Sequence, residues 1–243
     1  MTTDISSIIN TEFKNQQVFT KNDLVKLLRR YFPTSTNEGT IGWRIHDLKE
    51  RGTINHLGRD TYSLSIHKNY EPDISGEAKE LYQNVKKALP YTGLCIIDTR
   101  WLNEFMLHQV FRTYLIIEVE KEATPTVFKR LIELSDEVFL NPRKEMFEYY
   151  IANTENPIII KPLISESPLI EVDQIRVASL EKLLVDCICD TEVYGAQYQE
   201  ATAIFENARE KYTINTGRIR RYARRRNRSV EIARFLSKNE WYD

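Results

Sequence analysis

Five ionisable side chains stand near the ends of apolar runs in the middle of the chain: Asp98, Glu118, Glu120, Lys121 and Lys161. A metal-dependent nuclease needs one acid, then an acid-x-Lys on the next strand, to hold Mg²⁺ and poise a water. Asp98 can serve as the first acid. The second element fails, because Val119 stands two residues before Lys121, and Glu118 and Glu120 are out of step with it. Acids gathered at strand ends are more often a solvated edge. Asp98-Thr-Arg-Trp101 also closes a strand, with Trp101 read as core. The chain has no G-x-S-x-G elbow, no G-x-x-x-x-G-K-[ST] loop and no G-x-G-x-x-G, so acyl transfer and nucleotide binding lack their usual frames. Cys95, Cys187 and Cys189 make a poor disulfide set and are read as free thiols in a reducing compartment. His46, His56, His67 and His108 stand at no ligand spacing from them. The expectation is no catalytic residue, no cofactor and no metal.

Residue types suited to a polyanion are more concentrated. Residues 209–234 carry ten basic side chains and two acids, a local charge of +8 in a chain of net charge −1. The remainder is therefore acidic, at −9. Arg218, Arg221, Arg225 and Arg228 recur at spacings of three or four and share one helical face. Arg220 and Arg224 extend that face, and Tyr222 is interleaved. Nucleic-acid contact, pairing with acids of this chain or a partner, and plain solvation all remain open, with the density of arginine favouring the first.

A second set lies near the N-terminus. Thr36, Thr40, Trp43 and Asp47 project from one side of a helical segment, with Asn37 and Arg44 on its flank. Hydroxyls and amides read base edges, and an arginine takes a guanine or a phosphate. Trp43 and Asp47 fit that use less well. Arg59 falls at the tip of a short hairpin, where it can enter a minor groove or hold a phosphate.

The elements that position these residues are legible in the pattern. Thr20 caps a helix whose third residue, Asp23, can answer it, and Leu24, Leu27 and Leu28 form its buried stripe. Pro33 stops that helix. A second helix starts from Ser35 or Thr36, buries Ile41, Ile45 and Leu48, and ends at Gly52. Residues 53–57 and 61–64 form a hairpin around Gly58-Arg59-Asp60. Helix, helix, helix, strand, wing, strand is the order of a winged helix-turn-helix over residues 1–70.

A polar junction at residues 68–77 leads to runs at Gly93–Ile97, Tyr114–Val119, Glu137–Leu140 and Asn156–Lys161, read as buried strands. Residues 125–134 and 143–152 have helical spacing. Everything from about Ser179 reads as helix. The fold class expected is α+β multidomain: an N-terminal winged helix-turn-helix (1–70), then an α/β region with a C-terminal helical bundle (77–243). No run approaches a membrane span, and MTTDISSIIN has neither a basic n-region nor an apolar h-region. A cytoplasmic protein with no membrane partner is expected.

The run TIGWRIHDLKERGTINHLGRDTYSL (40–64) resembles the N-terminal domain of AbiEi-type antitoxins, of the type IV abortive-infection toxin–antitoxin systems of bacteria. The matching residues are Trp43-Arg-Ile45, Arg51-Gly52, Gly58-Arg59 and Tyr62. Val177–Asp186, with its Glu-Lys and closing Asp, and Tyr222–Asn227 are similar to later segments of that family. The resemblance implies a transcriptional autorepressor that binds double-stranded DNA at an inverted repeat in its own promoter. It also implies an antitoxin part whose functional partner is a nucleotidyltransferase-like toxin. Asp60 departs from the pattern, since the family wing more often has a glycine there. The alternatives are a metal-dependent nuclease targeted by a winged helix, and a winged-helix protein-interaction module.

Overall fold

The computed structural model describes residues 5–16, 18–33, 37–50, 52–64, 68–239 and 241. It divides into two compact units, Met1–Asn69 with Lys211–Asn215, and Tyr70–Glu210 with Thr216–Asp243.

The first unit contains α1 (Ile5–Glu12), β1 (Phe19–Thr20), α2 (Lys21–Tyr31), α3 (Glu38–Glu50), β2 (Ile54–Gly58) and β3 (Thr61–Leu64). The strands form an antiparallel sheet in the order β1-β3-β2. Thr20 and Asp23 make a reciprocal capping box: the Asp23 N–H donates to Thr20 Oγ1 and the Thr20 N–H to Asp23 Oδ2. Two otherwise orphaned donors are thereby satisfied. Leu24, Leu27 and Leu28 of α2 pack with Ile41, Ile45 and Leu48 of α3, closed by Ile9, Phe13, Phe19, Ile54 and Tyr62.

The expected cap positions of α3, Ser35 and Thr36, lie outside the described residues. Asn37 fills the role, its Oδ1 accepting from the Thr40 N–H at 2.7 Å. At the other end Gly52 has φ +66°, and the N–H groups of Gly52 and Thr53 return to the carbonyls of Lys49 and Leu48. That is a glycine-closed helix end in which orphan carbonyls are satisfied. Residues 211–215 belong to this unit: the Thr213 N–H donates to the Lys68 carbonyl, and a Cβ at Gly52 would lie 2.6 Å from Thr213 Cγ2. The hairpin turn uses Asp60 at φ +57°. An aspartate tolerates that left-handed conformation.

The second unit is built on a mixed sheet. Its strands are β4 (Leu94–Asp98), β5 (Leu115–Val119), β6 (Val138–Leu140), β7 (Ile158–Pro162), β8 (Leu169–Val172) and β9 (Ile175–Ala178), in the order β6-β7-β5-β4-β9-β8. The central strands β4 and β5 are buried along their whole length, consistent with the mainly apolar runs LCIID and LIIEV, with Asp98 and Glu118 buried among them. β8 and β9 form a hairpin absent from the sequence expectation. Its two turn residues, Asp173 and Gln174, both have positive φ, the geometry that matches strand twist in a tight hairpin.

The helices are α4 (Gly76–Ala88), α5 (Thr124–Ile132), α6 (Lys144–Tyr149), α7 (Leu180–Cys189), α8 (Gly195–Gln199), α9 (Ala201–Lys211), α10 (Thr216–Arg225) and α11 (Ser229–Lys238). α7 is buried along nearly its full length, Glu181, Lys182 and Asp186 included. Ionised groups in such a place must be paired. Among the described residues, no helix is long and apolar enough to cross a membrane.

Candidate nucleic-acid interface

In the first unit the stripe Ile41, Ile45 and Leu48 turns inward, so the opposite side of α3 is left uncovered. Gly42 and Trp43 are exposed there, Trp43 by 63%, while Thr40 and Asp47 are half-buried and Asn37 is exposed at the helix start. A Cβ at Gly42 would meet nothing within 4 Å. A glycine inside a helix costs roughly 0.5–1 kcal/mol relative to alanine, and nothing among the described residues requires one at that position.

Arg59 is exposed at the hairpin tip. Arg44 behaves differently from the sequence expectation. Its guanidinium sits 4.3 Å from the centre of the Phe32 ring and its Nε is enclosed, so the side chain is largely committed to packing. Thr36 lies outside the described residues.

In the second unit α10 is held by its inner face. Ile219, Tyr222 and Ala223 are buried, and Tyr222 reaches a cluster of ions beneath the helix. At its centre Lys182 Nζ, fully buried, donates to Glu118 Oε1 at 2.9 Å, Asp186 Oδ2 at 2.6 Å and Tyr222 Oη at 2.9 Å. All three ammonium donors are used. Tyr222 in turn donates to Asp186 Oδ1 at 3.0 Å, and Arg226 pairs with the same oxygen at 3.1 Å. Lys161 pairs with Asp190 at the edge of the cluster.

Burial alone would lower the Lys182 ammonium, but Asp186 and Glu118 outweigh it and hold the group well above the usual lysine range. Burial pushes the Glu118 carboxyl up, against the lowering influence of Lys182. Burial likewise opposes the charge of Arg226, but Asp186, Tyr222 and Asp190 raise it.

This anchoring decides which arginines face outward. Arg220, Arg221, Arg224, Arg225 and Arg228 are exposed, Arg218 is half-buried, and Arg226 is turned into the cluster. Arg225 pairs with Glu166, and Arg228 with Glu231 at 3.1 Å. Glu166 comes from a distant segment, so the acid-poor local sequence did not announce it. Both pairs are exposed, and such pairs contribute about 0–1 kcal/mol. Competing phosphates can displace them.

The mid-chain acids separate. Cys95 stands opposite Glu118 across β4 and β5, so the two share a face of the sheet, while Asp98, three residues from Cys95, lies on the other face. Asp98 accepts from its neighbour Arg100 through Nη2 at 2.6 Å and Nε at 2.8 Å. Lys161 is in register with Glu118 on the adjacent strand but binds Asp190. Glu120 accepts from the Gly93 N–H at 3.0 Å. Trp101 is core, its Nε1 donating to the Asp73 carbonyl.

Sequence reasoning missed the Lys182 cluster. Its signal was a lysine and an aspartate four residues apart inside the otherwise apolar LEKLLVDCIC.

Residues 40–241 match a protein family of unknown function (DUF6577), and the chain belongs to that family. A comparison with curated proteins finds no match.

Proposed function

We propose that the chain binds double-stranded DNA through a winged helix-turn-helix formed by its first unit, and acts in the cytoplasm as a transcriptional autorepressor of the AbiEi antitoxin kind. One observation carries the reading: α3 buries one stripe and leaves Thr40, Gly42 and Trp43 on an uncovered side, in a unit whose hairpin ends in Arg59. Hydroxyl, aromatic and cationic groups on an open helix and wing suit base edges and phosphates. The outward arginines of α10 give the second unit a cationic surface of its own, suited to nucleic-acid phosphates. The antitoxin role rests on the resemblance at residues 40–64, 177–186 and 222–227, with a nucleotidyltransferase-like toxin as functional partner.

A nuclease reading is less well supported. Asp98 and Glu118 face opposite sides of the sheet, and each is bound to a cation of its own chain. One metal ion would not reach both.

The test is a mobility shift on the DNA upstream of the chain's own gene, comparing the wild type with Arg59→Ala and Trp43→Ala. Arg59→Ala should weaken binding and reduce the log–log salt slope by about one. Trp43→Ala should narrow the preference over scrambled DNA. Undiminished specific binding by both variants would refute the interface.

A further inference from the structure

A groove of about 990 Å³ opens on the second unit, walled by α8, the start of α9, the end of α10 and α11. Arg224, Arg228, Arg234 and Lys238 stand along it, against a single acid among the described residues, Glu231. Arg228 already takes up that acid. The groove is therefore strongly cationic. Tyr198 and Val230 bring apolar surface into it, 45% and 64% exposed.

We infer that this groove binds a short single-stranded segment of nucleic acid, with an unstacked base on the Tyr198 ring and phosphates on the arginine rim. The volume is at the upper end of the roughly 300–1,000 Å³ that holds a small ligand. A base with its sugar and phosphate fits such a space. A duplex offers a convex surface with its bases turned inward and cannot enter, whereas a single strand presents both base faces and charge.

An acidic helix is the competing occupant, and it would need a deep apolar slot. The groove does not supply one: Ile188 and Ala201 at its floor are only 2% and 4% exposed. Three of the four cations are arginines, whose planar fork matches phosphate geometry. Gln199, Thr202 and Asn227 add groups that can bond base edges. The groove is lined by residues of the second unit, whereas the duplex-binding face is proposed for the first.

Fluorescence anisotropy of the full chain with labelled oligo-dT and oligo-U of about twelve nucleotides tests this. Wild type should bind both, more weakly as salt rises. Tyr198→Ala should weaken binding about five- to a hundred-fold, in line with the loss of one stacked base, and Tyr198→Phe should retain it. Arg234→Ala with Lys238→Ala should lower the log–log salt slope by about 1.4.

Neither change should alter the mobility shift on upstream duplex, and Arg59→Ala should leave oligo-dT binding intact. A failure of this site is thus distinguishable from a failure of the duplex-binding face. Circular dichroism and thermal melting confirm that each variant is folded. The inference is overturned if wild type fails to bind single strands at about 50 mM salt, or if Tyr198→Ala binds like wild type. Displacement of the oligonucleotide by polyglutamate at equal charge concentration would also overturn it, in favour of an acidic protein partner.

Discussion

Replacing Lys182 with methionine tests the organisation of the second unit most sharply. Asp186 would keep Tyr222 at 3.0 Å and Arg226 at 3.1 Å. Glu118 would lose its bond at 2.9 Å, and its other oxygen, Oε2, is already enclosed without a hydrogen-bond partner among the described residues. The loss therefore falls on one buried carboxylate. Removing one partner of a buried pair costs about 3–5 kcal/mol. In a unit of this size each kcal/mol shifts Tm by about 2–4 °C, so its transition should fall by about 6–20 °C.

The sign of the pH dependence follows from Glu118. Burial raises its carboxyl already, and Lys182 is the chief opposing influence. Without Lys182 the folded value rises further above the ordinary 4.5. A carboxyl raised in the folded state contributes stability that is present below its unfolded value and lost as pH rises through the folded one. The deficit of Lys182→Met should therefore be smaller near pH 5.5 than near pH 8. Adding Glu118→Gln should recover part of it, because the uncompensated charge is gone. Thermal melts of the wild type, the single and the double variant at both pH values provide the measurement. A deficit under about 1 kcal/mol, or one that grows toward low pH, would refute the reasoning.

Gly42→Ala should stabilise the first unit by roughly 0.5–1 kcal/mol while weakening its binding to upstream duplex; a stabilised variant with full affinity would mean that nothing approaches α3 there. Gly52→Ala forces a left-handed alanine and a Cβ 2.6 Å from Thr213 Cγ2, and should destabilise the first unit by at least about 1–2 kcal/mol in denaturant titration. Wild-type stability would show that residues 211–215 do not pack there. Burial pushes the thiols of Cys187 and Cys189 up to about 12 and that of Cys95 well above its usual range. Iodoacetamide near neutral pH should accordingly modify all three in denaturant and none promptly in the native chain, since only the thiolate reacts. Prompt native labelling at Cys187 would contradict its burial.

Local signals were the readable ones. Thr20 with Asp23, the stripes of α2 and α3, and Gly52 each declare themselves within a few residues, and each behaves as its spacing implies. Four of the six strands of the central sheet were visible as apolar runs, though their order depends on pairings between distant segments. The β8–β9 hairpin was hidden because its turn, Asp173-Gln174, lacks a glycine.

The candidate site was legible only in part. Exposure of Trp43 and Arg59 follows from helix and hairpin periodicity, whereas the packing of Arg44 on Phe32 depends on a tertiary contact. The arginine face was plain in composition. That Arg226 turns inward depends on Asp186 of α7, and that Arg225 meets an acid depends on Glu166. Charge counting along one segment cannot see either.

The reading of duplex DNA by the first unit is the proposal on which the assigned function rests. Its most direct test is a mobility-shift titration of the full chain on its own upstream DNA and on scrambled DNA, at a low and a higher salt concentration. Preferential binding to the upstream sequence that weakens as salt rises is the expected result. Equal affinity for both duplexes, or no shift on either, would contradict the account.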